Sequence, residues 1–248
     1  MNDKDGIRKN FSAAAGSYDK ASMPQKTAAG KMLALIKEHA GCEFPDILEL
    51  GCGTGHFTKL AAGQLKWETY TVNDLCPAFK GIEGCGHGIH FVAGDAEPLD
   101  FDGKYDLICA CSVIQWFNDL PAFFRRCAQK TEKGGIVAFS TFCPGNLTEI
   151  RQLTGIGLDY HPLSWYAAQL SDSFEILHLG EELVRLNFDS PKTVLRHIKM
   201  TGAGMGNGFS FTPSSLKKFE TEYRARFASN GRFPLTYNPL YILAKLKR

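Results

Sequence analysis

No stretch of the sequence approaches the ~20 consecutive apolar residues that a membrane-crossing helix needs. Its opening, Met1-Asn2-Asp3-Lys4-Asp5, lacks the basic-then-apolar order of a secretory signal. Neither sign of charge dominates: 28 basic and 26 acidic side chains leave a formal +2, so the chain lacks the global field of a general nucleic-acid binder. There is no Cys-x-x-Cys pair, internal repeat or low-complexity tract. These absences lead us to expect a cytoplasmic protein with neither a membrane nor a nucleic acid as partner. The eight cysteines, at positions 42, 52, 76, 85, 109, 111, 127 and 143, are scattered through 248 residues. That chain is far longer than a disulfide-stapled mini-domain, and buried, reduced thiols are expected. Cys85, His87 and His90 are ligating types, but they sit in a Gly-rich turn without a fourth ligand, so no metal is expected. What the chain does have is 44% hydrophobic and 22% charged residues, enough for one sizeable core.

Residues 1–45 read as two helices, the second with Met32, Leu35 and Ile36 at helical spacing and Gly41 at its end. Short apolar runs then alternate with helical stretches: strands near 46–50, 67–73, 89–92, 105–111 and 135–141, helices near 55–63, 76–81 and 119–130. Such alternation predicts an α/β doubly wound, mostly parallel sheet wrapped by helices. After Phe142 the relay stops. The stretches 173–188 and 239–246 read as strands that pair antiparallel at one edge, a hairpin-like addition that completes seven strands. Between them, helices near 190–201 and 213–228 flank the glycine-rich segment 202–208, read as a turn. The expectation is one domain, 1–248, with N-terminal helices (1–45) over a ligand-binding core (46–142) and a helical lid insertion (190–230) too short for a core of its own.

The strongest local signal is Asp46-Ile47-Leu48-Glu49-Leu50-Gly51-Cys52-Gly53-Thr54-Gly55, a strand that runs into three alternating glycines before a helix. Glycines there let the backbone turn sharply and approach a ligand. A nicotinamide fingerprint needs a further glycine where His56 stands, so the spacing disfavours that cofactor. The E-x-G-x-G-x-G form resembles the class I S-adenosylmethionine (SAM) methyltransferases. By that resemblance Glu49, Gly51, Cys52, Gly53, Thr54 and Gly55 surround the methionine part of SAM. Asp74, which ends the next strand about 20 residues on, with Leu75 beside it, suits the ribose hydroxyls. Asp95 and Ala96 after the third strand take the adenine position. Ser112, Gln115 and Trp116 follow the fourth strand, where ligands of such sheets bind. Tyr18 is a candidate aromatic cover for the sulfonium, whose positive charge ring faces attract.

The resemblance narrows further on Phe11-Ser12-Ala13-Ala14-Ala15-Gly16-Ser17-Tyr18, Val113-Ile114-Gln115-Trp116, the segment Gly135 to Phe142, Lys199-Met200-Thr201-Gly202-Ala203 and Gly231-Arg232-Phe233-Pro234-Leu235-Thr236-Tyr237-Asn238. Together these resemble the malonyl-acyl carrier protein O-methyltransferases of biotin synthesis over nearly the whole chain. Asn73 before Asp74 and the glycine content of 202–208 depart from that pattern. The resemblance implies methyl transfer from SAM to the free carboxylate of malonyl-acyl carrier protein. Methylation of a small carboxylic acid or a quinone-type ring is the alternative. The implied catalytic set is Tyr18, Gln115, Trp116 and Arg151, with Arg151 as the expected carboxylate holder because a guanidinium fork suits that group. Tyr237 and His161 are secondary candidates.

The family's carrier protein is acidic, and the charge is unevenly placed. Residues 190–248 hold 11 basic against 2 acidic side chains, a local +9. Lys192, Arg196 and Lys199 fall on one face of a predicted helix, and Lys217, Lys218, Arg224, Arg226 and Arg232 follow. These are the expected docking residues.

Overall fold

The computed structural model describes residues 2–21, 23–98, 100–201 and 211–247, with the side chains of 14–21 outside that description. The expected glycine turn at 202–208 lies outside it as well. Lys4–Ala21 (α1) and Met23–Ala40 (α2) are the two N-terminal helices. The relay then runs Asp46–Leu50 (β1), His56–Gln64 (α3), Thr69–Asp74 (β2), a 3₁₀ segment over Pro77–Cys85, Ile89–Ala93 (β3), Tyr105–Cys111 (β4), a 3₁₀ turn at Ile114–Trp116, Leu120–Lys130 (α4) and Thr131–Phe142 (β5). There follow Thr148–Thr154 (α5), Leu163–Leu170 (α6), Phe174–Glu181 (β6), Val184–Phe188 (β7), Pro191–Met200 (α7), Pro213–Phe227 (α8), Phe233–Tyr237 (β8) and Pro239–Leu246 (β9).

The main sheet has seven strands in the order β3-β2-β1-β4-β5-β9-β6. β3 through β5 are parallel, and β9 runs antiparallel to both β5 and β6. Strand periodicity sends alternate side chains to opposite faces. On β4, Ile108 and Ala110 pack with Phe123, Phe124 and Cys127 of α4 and Tyr166 and Leu170 of α6. Leu107 and Cys109 join Met32, Leu33 and Ile36 of α2 and Phe57 and Ala61 of α3 on the other face. Both faces of the central strands are therefore dry, which explains their near-continuous apolar runs. Asp119 caps α4 by accepting the Ala122 N–H at 2.9 Å, so the helix starts at the position that its Asp-x-Pro sequence marks.

The tail of the chain departs from its expected arrangement. β6 and β9 pair antiparallel at the edge, but 173–188 is not one edge element. It breaks at Glu182-Leu183, and β7 leaves to form a two-stranded antiparallel sheet with β8. β7 turns Val184, Leu186 and Phe188 toward a third apolar cluster, formed with Ile150 of α5, Val194 and Ile198 of α7, Phe219 and Tyr223 of α8, and Phe233, Leu235 and Tyr237 of β8. The Glu149 carboxylate pins α5 to β8 by accepting the Thr236 N–H at 3.0 Å and the Thr236 hydroxyl at 2.6 Å. Phe142 at the end of β5 joins this cluster to the main sheet. All eight cysteines are free: Cys52, Cys76, Cys109, Cys127 and Cys143 are buried, and Cys42, Cys85 and Cys111 partly exposed. Among the described residues no helix is long and apolar enough to cross a membrane.

Candidate active site

Strand order reverses between β1 and β4, which opens a crevice beyond their carboxyl ends. A cavity of about 1000 Å³ lies there. Ten of the expected ligand-binding residues line it: Glu49, Gly51, Cys52, Gly53, Thr54, Asp74, Leu75, Asp95, Ala96 and Ser112, together with Trp116.

The glycine turn shows why those residue types are needed. Gly51 has φ +68°, and a Cβ there would overlap the Val113 side chain. Gly55 has φ +81°, does not line the cavity, and would meet Ile82 of the 3₁₀ segment, so its smallness serves packing. Gly53, with φ +53°, faces open space within 4 Å. It is the point of the turn where a ligand can approach the backbone. Asp74 Oδ2 accepts the Gly53 N–H and Oδ1 the Cys76 N–H, each at 2.8 Å, and so fixes the turn against the end of β2. An ionised carboxylate has about four lone-pair directions, which leaves two for a ligand. Burial raises the Asp74 pKa against these two N–H donors.

Glu49 is 2% exposed and accepts the Tyr70 hydroxyl at 2.6 Å. Burial pushes its pKa up to about 7, the Tyr70 bond opposes the rise, and the neighbouring Asp74 charge adds to it. A carboxyl so placed is ready to ionise when a cation arrives. Asn73 binds the Val92 and Gly94 carbonyls at 2.9 and 3.0 Å through Nδ2, and thereby ties β2 to β3. Its buried Oδ1 and that of Gln25, Oε1, both on cavity-lining residues, have no hydrogen-bond partner among the described residues. Unpaired buried acceptors are costly, and these two call for N–H or O–H donors from a ligand. SAM offers such donors in its ammonium, ribose hydroxyls and adenine amino group, so the residues present fit it.

Helix α1 closes one side of the cavity with Lys4, Ile7, Arg8 and Phe11, none of them expected. Lys4 Nζ lies 3.2 Å from Asp95, 2.8 Å from Glu97 and 4.9 Å from the Phe117 ring centroid. Glu97 also accepts the Asn118 and Asp119 N–H groups, each at 2.6 Å. Phe11 meets Trp116 edge-on at 5.8 Å. Such long-range pairs leave no local pattern; only the apolar Ile7 and Phe11, four residues apart on one helix face, signalled a packed surface. Tyr18 belongs to α1, and its side chain lies outside the described residues.

At Ser112 the backbone leaves β4 with φ +59°, in the left-handed region, and its N–H bonds the Ser140 carbonyl at 2.9 Å. The next 3₁₀ turn sends neighbouring residues to different places. Trp116 lines the first cavity, while Gln115 lines a second one of about 670 Å³ with Asp159, Tyr160, His161 and Tyr166. Phe117 borders both. Arg151 lines neither. Its Nη1 donates to the Leu158 carbonyl at 2.8 Å and its Nη2 to Asp159 at 2.7 Å, in an exposed setting that braces the 155–162 loop. His161 stacks on Trp165 at 3.8 Å. Tyr237 shares a 2.9 Å hydrogen bond with His197 away from either cavity.

The expected docking residues are all exposed. Val194 and Ile198 bury the opposite side of α7. Several have partners: Lys192 lies 3.4 Å from Glu220, Lys218 3.8 Å from Glu222, Arg224 sits over the Phe233 ring, and Arg232 pairs with Asp189. Arg226 donates to the Gln152 side chain at 2.7 Å. Arg196, Lys199 and Lys217 are in no ion pair among the described residues. No group of three or more His, Cys, Asp or Glu among the described residues could hold a metal.

A family model described as a methyltransferase domain matches residues 11–192. The malonyl-[acyl-carrier protein] O-methyltransferase of Bacteroides helcogenes is 38% identical, over 99% of this chain and 99% of its own length. The protein of that name from Bacteroides thetaiotaomicron is 36% identical, over 98% of each. Among solved structures, the N-methyltransferase NodS from Bradyrhizobium japonicum WM9 in complex with S-adenosyl-l-homocysteine has a TM-score of 0.54 at 13% identity, covering 94% of this chain and 99% of that one, a likeness of fold.

Proposed function

The chain belongs to the malonyl-[acyl-carrier protein] O-methyltransferase family, and from that premise we propose how its residues carry out the reaction. It is a SAM-dependent O-methyltransferase that esterifies the free carboxylate of malonyl-acyl carrier protein. SAM supplies an electrophilic methyl: the carbon–sulfur bond breaks with its electron pair left on sulfur as a carboxylate lone pair forms the new carbon–oxygen bond. The observation that carries this reading is the cavity at the carboxyl ends of β1, β2 and β4, with Glu49, the open Gly53, Asp74 and Trp116 on its walls and a second polar cavity adjoining at Phe117.

In this reading Glu49 takes the ligand's cationic amino group, which favours its ionised form. Asp74 receives the ribose hydroxyls with its remaining lone pairs and holds the turn with the others. Asp95, kept in place by Lys4 and by the Glu97 N–H at 3.0 Å, receives the adenine amino group. Trp116 and Phe11, edge-on to each other, form the described part of the aromatic cover. A malonyl carboxylate is already ionised at neutral pH, so the chain needs no general base. It works by holding the acceptor in line, worth about 7–11 kcal/mol in favourable cases, and by excluding water from the carboxylate.

The acidic carrier docks on the exposed face of α7 and α8, led by Arg196, Lys199 and Lys217. A local patch steers an acidic partner even when total charge is near zero. The reading assigns no nucleic acid as partner and places the enzyme with its carrier in the cytoplasm. Incubation with methyl-labelled SAM and malonyl-carrier, malonyl-CoA or free malonate tests it. Label in the malonyl-carrier ester with much slower turnover of free malonate is expected. Equal turnover of all three would sink carrier docking, and no label in malonyl-carrier would sink the reading itself.

A further inference from the structure

We propose that Tyr160 is the residue that holds the acceptor carboxylate, through its hydroxyl hydrogen, and that Asn146 is the positioning residue that keeps this hydrogen available. The inference rests on the proposed function and names the group that its acceptor site uses. Phe117 borders both cavities, and the divergence of Gln115 and Trp116 from one turn sets the two spaces side by side. An acceptor beside the methyl-donor site therefore enters the second cavity. Among the described residues no lysine or arginine lines it. A carboxylate there must be held by neutral donors, or by a cation brought from elsewhere.

Arg151, whose charge acts on Tyr160, already bridges two groups of the loop that carries Tyr160. Three of the neutral donors can be sorted by what their hydrogens do. Gln115 Nε2 donates to the Ser112 carbonyl at 2.7 Å and its Oε1 accepts from Thr141 at 3.3 Å. Tyr166 has as its partner the Thr141 side chain, a hydroxyl able both to give and to take a hydrogen. Tyr160 differs. Its oxygen accepts Asn146 Nδ2 at 3.0 Å, and the orientation of that amide is set from behind, because the Asn238 N–H donates to Asn146 Oδ1 at 3.1 Å. Asn146 can thus give the tyrosine a hydrogen but cannot take one. The hydroxyl hydrogen of Tyr160 has no acceptor among the described residues.

Two further features suit this hydrogen to an anion. Burial raises the Tyr160 pKa, with the Asn146 bond and the Arg151 charge opposing, so the phenol keeps its proton at neutral pH. A hydroxyl whose oxygen already accepts a bond is polarised into a better donor. Packing of the ring edge-on against Phe142 at 6.0 Å fixes its position. A neutral O–H donor orients one carboxylate oxygen without cancelling the negative charge, which leaves the other oxygen nucleophilic. A hydrogen bond to an ionised acceptor is about twice as strong as a neutral one, so the same hydroxyl holds the ester product more weakly than the substrate. The site selects an anionic acceptor and lets go of its neutral product.

The test compares wild type, Tyr160→Phe and Asn146→Asp in methyl transfer to malonyl-carrier. Equilibrium binding of malonyl-carrier to enzyme saturated with S-adenosylhomocysteine supplies a second readout. Tyr160→Phe keeps the ring packing and removes one donor, so KM and the dissociation constant rise roughly 10–100-fold, the range for a bond to a charged group, with kcat changed far less and SAM affinity within twofold. Asn146→Asp keeps the tyrosine but offers its hydrogen a carboxylate of its own, so it raises KM in the same way. If Tyr160→Phe stays within threefold of wild type in both KM and binding, the assignment is overturned while the proposed function stands. A wild type that does not methylate malonyl-carrier overturns both.

Discussion

Replacement of Glu49 by glutamine turns the electrostatics of the first cavity into a stability measurement. The carboxyl is 2% exposed, and burial raises its pKa from 4.5 to about 7 against the opposing Tyr70 bond. At ~1.4 kcal/mol per pKa unit that difference amounts to about 3 kcal/mol of folding free energy. The sign follows from proton counting. Between pH 4.5 and 7 the folded chain keeps a proton that the unfolded chain has lost, so wild-type stability falls as pH rises through this window and stops falling above it. The amide of the Glu49→Gln variant has no proton to lose and keeps an acceptor for Tyr70. The stability of the ligand-free variant relative to wild type should therefore grow by about 3 kcal/mol between pH 4.5 and 8, equivalent to roughly 6–12 °C in Tm for a chain of this size. Urea unfolding of both proteins across that range measures it, and any fixed cost of the amide cancels because only the change with pH is read. A gap constant within about 0.5 kcal/mol, small against the ~1.4 kcal/mol of one pKa unit, would show that Glu49 titrates normally and refute the argument. The same carboxyl predicts that wild-type SAM affinity climbs as pH passes 7, since only its ionised form attracts a cation.

Three other outcomes follow from the geometry. Gly51→Ala should cost about 1–3 kcal/mol in chemical denaturation, because it sets a side chain at φ +68° against Val113; an unchanged midpoint would remove the close approach from the explanation of this glycine. Asp74→Asn should weaken SAM binding by about tenfold, the loss of one charge-assisted bond, and unchanged affinity by calorimetry would take Asp74 out of the ribose role. The double variant Arg196→Glu with Lys199→Glu should raise KM for malonyl-carrier several-fold at low salt and progressively less at high salt, with SAM affinity unaltered; a salt-independent KM equal to wild type would place the carrier elsewhere.

The parallel half of the fold was legible because each of its signals is local. The run Asp46 to Gly55 encodes strand, turn and helix start in ten residues, and Asp119 marks the head of α4 by itself. The antiparallel tail was less legible. β8 contains Pro234 and is buried along its whole length, so it shows no period-2 alternation, and its partner β7 is joined to β6 by only two residues, Glu182 and Leu183. A chain segment with strand character from 173 to 188 does not disclose that it changes sheets in the middle. What decides the change is the third apolar cluster, whose members come from the end of β5 and from α5, α7, α8 and β8.

The site divides along the same line. Its donor-binding half sits on the glycine turn and strand ends, where position in the sequence nearly dictates position in space, and ten expected residues meet there. Its acceptor half depends on which hydrogen bonds are already made, and that is a property of the folded chain alone. Sequence favoured a guanidinium for a carboxylate, and Arg151 had the right charge; the fold gives its fork two partners on the loop that follows its helix, 7 and 8 residues away. The tyrosine that remains available owes this to Asn146 and Asn238, 14 residues before it and 92 residues beyond Asn146. An arginine in that cavity would bind the malonyl anion more tightly, but it would also draw charge from the oxygen that must attack. Where the substrate is itself the nucleophile, a neutral holder orients it at less expense to its reactivity, and a neutral holder is the kind of residue that charge counting in a sequence passes over.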